Sequence, residues 1–277
     1  GMENEDRSLL KLFTEGKWKG GHSCHHGDVK IQNSLAAAKK VEKKYGGEIG
    51  IYEIDFLSFH GEIRSSHDYN MVAINRGSSL EQWVNFVIIE CRKVLWLDVK
   101  ENYRFQMNCG FEQFDVPVLF ATLKRIRNHH LAIHDLDIQE YVWLGCQERD
   151  LHAEIIKMNK RPKWKMILDM PTVTTYILFE LTFHWLRGSA MMLDRIRREY
   201  HDYPNREHYP VVTLDRTFFS SPEEILRFVS TLDIPKGTKL LINSFGATEV
   251  APLRLEGYDI ITQYDYTTVV EADDDEI

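Results

Sequence analysis

Short apolar runs alternate along the chain with longer segments in which apolar residues recur at helical spacing. The short runs predict eight strands, at 18–22, 49–56, 94–99, 141–146, 165–169, 210–214, 239–244 and 258–264. The segments between them predict helices over 34–45, 80–91, 116–127, 151–159, 172–200 and 222–232. This alternation indicates an α/β protein, and we expect a single-domain (β/α)₈ TIM barrel. An open doubly wound sheet is the alternative, but no glycine-rich phosphate loop follows the first strand.

Acidic residues interrupt two of the predicted strands. Side chains alternate between the faces of a strand, so Glu53 and Asp55 share the face opposite the apolar residues that pack under helices. Asp98 and Lys100 fall on the inward face at the end of the third strand. Three acids with one lysine leave excess negative charge, which a divalent cation held by carboxylate oxygens would balance. A structural acid–lysine pair that fills the barrel is the alternative.

Histidines lie close to the same strands. His67, followed by Asp68, comes after a tight turn beyond the second strand, and a histidine beside a carboxylate suits acid–base catalysis near neutral pH. The first strand ends in a segment that contains His22, His25 and His26. Zinc would require further histidines or cysteines at regular spacing, and the acidic partners favour a harder metal. Alternatively, some of these histidines line a polar loop.

Taken in order, these motifs resemble the glycerophosphodiester phosphodiesterase family of the phospholipase C-like phosphodiesterase superfamily, including its sphingomyelinase D relatives. The resemblance rests on Gly21-His22, Asn33-Ser34-Leu35, Glu53-Ile54-Asp55, Gly61 with His67-Asp68, Asp98-Val99-Lys100 and Gly257 to Thr262. It implies metal ligands at Glu53, Asp55 and Asp98, a phosphate contact at Lys100, and an acid–base pair of His67 with His22 or, in another register, His25. The implied cofactor is Mg²⁺ or Ca²⁺.

The resemblance implies a phosphoric diester hydrolase or lyase that acts on a small-molecule or lipid-derived phosphodiester. Two positions depart from the family pattern: Ser23 replaces an arginine that helps to hold phosphate, and Gln32 replaces an acidic residue. Both changes concern the glycerol-specific pocket more than the metal and histidine chemistry. The missing arginine also supports an alternative, a non-catalytic barrel that binds a phosphorylated ligand or a partner protein.

Composition narrows the class of protein. Lys and Arg number 34 against 42 Asp and Glu, a net charge of −8, which lacks the basic footprint of a nucleic-acid-binding protein. No apolar run approaches the roughly 18 residues of a membrane span, and no signal core is present, so we expect a cytoplasmic protein. The expected organisation is an N-terminal segment over 1–17, the barrel over 18–268 and a disordered acidic tail over 269–277.

The predicted helix over 172–200 is unusually apolar for the outer ring of a barrel. The first interpretation is a helix that covers the barrel bottom or wall. A homodimer surface or a contact with lipid substrate is the alternative.

Overall fold

The computed structural model describes residues 19–22, 35–66, 77–100, 113–161, 163–168, 190–215, 219, 221–243 and 259–265. Its strands are β1 (Lys19–His22), β2 (Ile49–Phe59), β3 (Glu62–Ser65), β4 (Val94–Val99), β5 (Val142–Gly145), β6 (Lys165–Leu168), β7 (Val211–Asp215), β8 (Lys239–Asn243) and β9 (Asp259–Asp265). Its helices are α1 (Leu35–Tyr45), α2 (Leu80–Val84), α3 (Val116–His134), α4 (Arg149–Met158), α5 (Ala190–Asp202) and α6 (Pro222–Val229).

All eight predicted strands are present, and the predicted α/β class is confirmed. Strands and helices alternate along the chain as in a (β/α)₈ barrel, and most strand pairs are parallel. The chain forms two compact units: Gly1–Gly20 with Met166–Tyr264, and Gly21–Lys165 with Asp265–Ile277. The bounds expected for the N-terminal segment, the barrel and the acidic tail stay a prediction.

The unit that contains Gly21–Lys165 is built around β2, β4 and β5, which pair in parallel in that order. The register places Asp55 opposite Asp98, and Asp98 opposite Gly145. Asp115 caps the N-terminus of α3, since its carboxylate accepts a hydrogen bond from the Val118 amide at 3.0 Å. Because the two strands run parallel in this register, Asp55 of β2 and Asp98 of β4 lie side by side.

A hairpin follows β2 at the turn that the sequence predicts. His60 and Gly61 have positive φ angles of 48° and 75°, which reverse the chain into β3. The antiparallel pairing of β3 with β2 is an addition to the eight predicted strands. The strand β3 has four residues, and its one apolar residue, Ile63, lies between the charged residues Glu62 and Arg64. So short a strand shows no apolar alternation from which it could be predicted.

The helix predicted over 80–91 also differs in detail from the structure. It begins at Ser79 with a capping box, in which the Ser79 hydroxyl and the Gln82 amide group each bond the other residue's backbone N–H. After Val84 it continues as a π-helix over Asn85–Glu90. Hydrophobic spacing does not distinguish an α-helical turn from a π-helical one over so few residues, so the sequence predicts only a helix here.

The other unit contains β6, β7, β8 and β9, which pair in parallel in chain order. The predicted start of α6 at Ser221 is confirmed, since the Ser221 hydroxyl accepts a hydrogen bond from the Glu224 amide at 3.2 Å. Of the segment predicted as a helix over 172–200, the structure describes α5 from Ala190 onward, and 172–189 lies outside the described residues. Across the described ranges, no helix combines the length and the apolar character needed to cross a bilayer.

Candidate metal centre

The three acidic residues singled out in the sequence come together near the point where the parallel pairing of β2 with β4 ends. Glu53 and Asp55 lie on β2, and Asp98 lies on β4 directly opposite Asp55. One carboxylate oxygen from each residue lies within 4.8 Å of the other two. All three residues are buried, with exposed fractions of 2–3%. We call Glu53, Asp55, Asp98 and the adjacent Lys100 the carboxylate cluster.

Lys100 supplies the positive charge of this cluster. Its Nζ lies 2.6 Å from Asp98 Oδ2 and 3.4 Å from Asp55 Oδ1. The residue follows β4, and its backbone N–H donates to the Phe56 carbonyl at 3.0 Å, which continues the parallel pairing of β4 with β2 past Val99. One lysine can neutralise only one of the three carboxylates, so the ionised cluster carries a net negative charge in a buried place.

The electrostatics of the cluster follow from that imbalance. Burial raises the pKa of Glu53 well above its ordinary value, and the charges of Asp98 and Asp55 raise it further against the opposing effect of Lys100. Burial also raises the pKa of Asp98, and Lys100 offsets only part of this shift. Burial alone would lower the pKa of Lys100, but the three carboxylates, Asp98 foremost, raise it well above its ordinary value. Without a further cation the cluster therefore favours holding protons.

The residues present fit a hard divalent cation. Asp98 Oδ1 is buried and has no hydrogen-bond partner within the described part of the chain. Carboxylate oxygens are the ligands that Mg²⁺ and Ca²⁺ prefer, at about 2.0–2.6 Å, so oxygens on one ion lie at most about 5 Å apart. The spacing in the cluster meets this limit. A cation would satisfy the unpaired oxygen and balance the excess charge.

Of the three predicted histidines, the structure describes only the backbone of His22. His22 is the last residue of β1, a strand that pairs with β2, the strand that carries Glu53 and Asp55. The side chain of His22 is outside the described part of the structure, as are His67 and His25 entirely. The acid–base roles of these residues stay predictions.

Two residues of β5 near the cluster, Trp143 and Gly145, escaped the sequence analysis. On β5, Trp143 pairs with Trp96 of β4, and the two indoles are buried on the face that carries the carboxylates. Gly145 pairs with Asp98, so β5 places no side chain beside that carboxylate. The alternation of Trp143 and Gly145 was a usable signal, because these residues continue on β5 the i, i+2 pattern of Trp96 and Asp98.

The backbone around Asp55 is held by the segment after the hairpin. The Ser66 N–H donates to the Asp55 carbonyl at 3.0 Å, and the Ser65 N–H donates to the Ser78 carbonyl at 2.9 Å. Gly77 packs so closely on Ser65 that a side-chain carbon at this position would overlap the Ser65 carbonyl oxygen. These contacts fix the backbone that carries one of the three carboxylates.

No protein-family profile matches the chain, and no curated protein matches it in sequence. Among solved structures it is similar to a candidate glycerophosphodiester phosphodiesterase from Galdieria sulphuraria, with 14% identity and a TM-score of 0.48 over 89% of this chain and 93% of that one. It is also similar to a candidate glycerophosphoryl diester phosphodiesterase from Silicibacter pomeroyi DSS-3, with 10% identity and a TM-score of 0.47 over 98% of both chains. A glycerophosphodiester phosphodiesterase from Parabacteroides distasonis ATCC 8503 shows 13% identity and a TM-score of 0.46, over 92% of this chain and 96% of that one. At such values, function has to be argued from the chemistry of the site itself.

Proposed function

We propose that this chain is a metal-dependent phosphoric diester hydrolase or lyase of the glycerophosphodiester phosphodiesterase type. The observation that carries the proposal is the convergence of Glu53, Asp55 and Asp98 with a single lysine in a buried place. A purely structural cluster would be expected to balance its charges, because an uncompensated buried carboxylate is costly. A phosphodiesterase needs this excess negative charge in order to bind the cation that contacts its anionic substrate.

Each residue of the cluster has a definite part in the proposed reaction. Glu53, Asp55 and Asp98 would hold Mg²⁺ or Ca²⁺, which stabilises the charge that grows on the phosphate oxygens in the transition state. Lys100 would contact the phosphate as a second fixed positive charge, and its raised pKa keeps the ammonium protonated. Trp96 and Trp143 would limit the access of water to the carboxylates from the side where both indoles are buried.

The proton transfers are assigned to His67 and to His22, with His25 as the alternative to His22. One imidazole would remove the proton from the attacking hydroxyl, which belongs to the substrate or to water, and the other would protonate the leaving oxygen. The Ser66 amide donates to the Asp55 carbonyl at 3.0 Å, and His67 is the next residue in the sequence, which supports its assignment. The pairing of β1 with β2 supports a role for His22.

The proposed substrate is a small-molecule or lipid-derived phosphodiester handled in the cytoplasm. The net charge of −8 argues against a nucleic-acid partner, because binding to a polyphosphate backbone relies on clustered lysine and arginine. The proposed homodimer surface over 172–200 rests largely on residues outside the described ranges and stays a prediction.

The experiment that tests this proposal measures cleavage of a chromogenic phosphodiester by the purified chain with Mg²⁺, with Ca²⁺ and with excess chelator. We expect activity only with added metal. Glu53→Gln should lower kcat/KM by about 10²–10³-fold or more, because it removes a metal ligand that serves transition-state stabilisation. Glu62→Gln, which changes an exposed carboxylate on the neighbouring strand β3, is the matched control and should retain activity.

A second variant separates metal binding from proton transfer. His67→Ala should retain the calorimetric affinity for Mg²⁺ and lose turnover. Full activity in excess chelator would contradict the metal-dependent mechanism. Metal binding that depends on Glu53, without turnover on a panel of phosphodiesters, would instead identify the alternative, a non-catalytic barrel that binds a phosphorylated ligand.

A further inference from the structure

A second group of metal-ligating side chains lies on α3, a helix that contributes nothing to the carboxylate cluster. His130 and His134 are four residues apart, a spacing that places them on one face of the helix, one turn from each other. Their ring centroids are 5.4 Å apart and their ring planes differ by 22°. Zinc sites built on a helix use two histidines at this spacing as ligands.

His130 is in an unusual state for a histidine of a folded protein. It is 2% exposed, and neither Nδ1 nor Nε2 has a hydrogen-bond partner within the described residues. A neutral imidazole has one nitrogen that donates a hydrogen bond and one that accepts one. Within the described residues, neither nitrogen of the buried His130 ring makes such a bond. Buried polar groups in native proteins are nearly always paired, and an unpaired one indicates a bound water or ion.

The surroundings of His130 favour an ion. His134 is exposed, so its ring can turn about its own side-chain torsions and reach an incoming ion from solvent. Burial is the main cause that lowers the pKa of His130, and the neighbouring His129 and His134 lower it further. The ring is therefore neutral and able to ligate a metal at neutral pH. The Glu81 carboxylate opposes this shift from α2, and it also bonds Arg125 of α3 at 3.0 Å.

We propose that His130 and His134 form a second metal site, a two-histidine chelate for a divalent transition-metal ion such as Zn²⁺. Imidazole ligands select zinc, nickel and copper, whereas an all-carboxylate site selects magnesium, calcium and manganese. The two sites on this chain therefore differ in the ions they accept.

The test is a Zn²⁺ titration of the full chain in competition with a chromophoric chelator, with Mg²⁺ at saturating concentration. We expect one zinc ion to bind. His134→Ala should weaken the affinity by more than about tenfold, since even the loss of an outer-shell partner costs roughly 10–100-fold. His129→Ala is the matched control, because His129 neighbours His130 in sequence but contacts its ring edge-on, at 5.1 Å and 77°. This variant should bind zinc within about twofold of the unmodified chain.

The outcomes distinguish this site from the carboxylate cluster. Glu53→Gln should leave the zinc affinity unchanged, and a loss of zinc in that variant would overturn the assignment to α3. Equal affinity in His134→Ala and the unmodified chain, or an equal loss in His129→Ala, would also overturn it. Because His134 is exposed, its replacement leaves the core intact. Ring-nitrogen NMR signals give an independent measurement, since zinc should shift those of His130 and His134 and spare that of His129.

Discussion

The strand β4 has a lysine at each end, and the two lysines lie in contrasting surroundings. Lys93, just before the strand, meets a single carboxylate. Its Nζ lies 2.6 and 2.7 Å from the two oxygens of Glu42 and 2.6 Å from the Gly46 carbonyl, so all three of its donors are used. The Tyr52 hydroxyl donates to the same carboxylate at 2.5 Å. We call Glu42, Tyr52 and Lys93 the Lys93 cluster.

Lys100, just after the strand, is surrounded by three carboxylates, and one buried oxygen of Asp98 has no hydrogen-bond partner within the described residues. The Lys93 cluster is balanced in charge, and its contacts join α1, β2 and the start of β4. The carboxylate cluster, with one lysine for three carboxylates, is unbalanced. The comparison teaches that excess charge, rather than burial of charge as such, separates a candidate binding site from a structural ion pair.

The largest difference between the clusters should appear in the stability of metal-free variants. Glu42→Gln breaks a largely buried ion pair and leaves Lys93 without its counter-charge, so we expect the free energy of unfolding to fall by about 3 kcal/mol. Glu53→Gln removes a carboxylate that burial and two other acids already disfavour, so the same free energy should be unchanged or raised. Urea unfolding with excess chelator measures both variants. An equal loss of stability in the two would show that the carboxylate cluster is structural.

A second test compares Gly46, which packs on the Glu42 carboxylate, with Gly77, which packs on the Ser65 backbone next to the segment that bonds Asp55. A side-chain carbon on Gly46 would come within 2.5 Å of the Glu42 carboxylate, which can shift at the cost of its bonds to Lys93. At Gly77 the same carbon would overlap the backbone of Ser65, which cannot shift without moving β3. We therefore expect Gly77→Ala to cost about 2–3 kcal/mol and Gly46→Ala about 1–2 kcal/mol.

Gly47→Ala is the control for both variants, because nothing lies within 4 Å of the added carbon. Its stability should stay within about 0.5 kcal/mol of the unmodified chain. Thermal or urea unfolding of the three variants checks the order. A larger loss of unfolding free energy in Gly46→Ala than in Gly77→Ala would contradict the prediction. It would mean that the Glu42 carboxylate is held more rigidly than the backbone beside Asp55.

The sequence predicted the strands of the carboxylate cluster well for a physical reason. A strand alternates its faces every two residues, and parallel strands bring their carboxyl ends to one edge, so Glu53, Asp55 and Asp98 could be placed together from local pattern alone. The bounds of β4 were predicted to the residue, and β2 proved longer than its apolar run, ending at Phe59.

The features that sequence pattern missed depend on contacts between distant parts of the chain. Glu42 and Lys93 are 51 residues apart, and no periodicity relates them. That Asp98 Oδ1 has no hydrogen-bond partner among the described residues is likewise a property of the packed surroundings and cannot be seen in a strand pattern. The strand β3 was missed because a single buried residue, Ile63, lies between its two charged residues.

A further expected effect is a pH dependence of stability that, of the two clusters, only the carboxylate cluster should produce. Because the pKa of Glu53 and that of Asp98 are raised in the folded state, folding takes up protons above the ordinary carboxyl pKa of about 4. The stability from these groups is thus fully present below about pH 4 and is lost as the pH rises toward their raised values. In metal-free protein the free energy of unfolding should fall by up to about 1.4 kcal/mol per pH unit for each proton taken up.

Calcium should remove this dependence, because a bound cation replaces the protons and binds more tightly as the carboxyl groups ionise. Urea unfolding at a series of pH values between about 4 and 7, with chelator and with saturating Ca²⁺, gives the two slopes. Glu53→Gln should flatten the slope measured in chelator, since it removes the group whose proton is most favoured. A slope that is the same with Ca²⁺, with chelator and in the variant would mean that the buried carboxylates neither exchange protons on folding nor hold a metal. Lys100 would then be their sufficient counter-charge, as Lys93 is for Glu42.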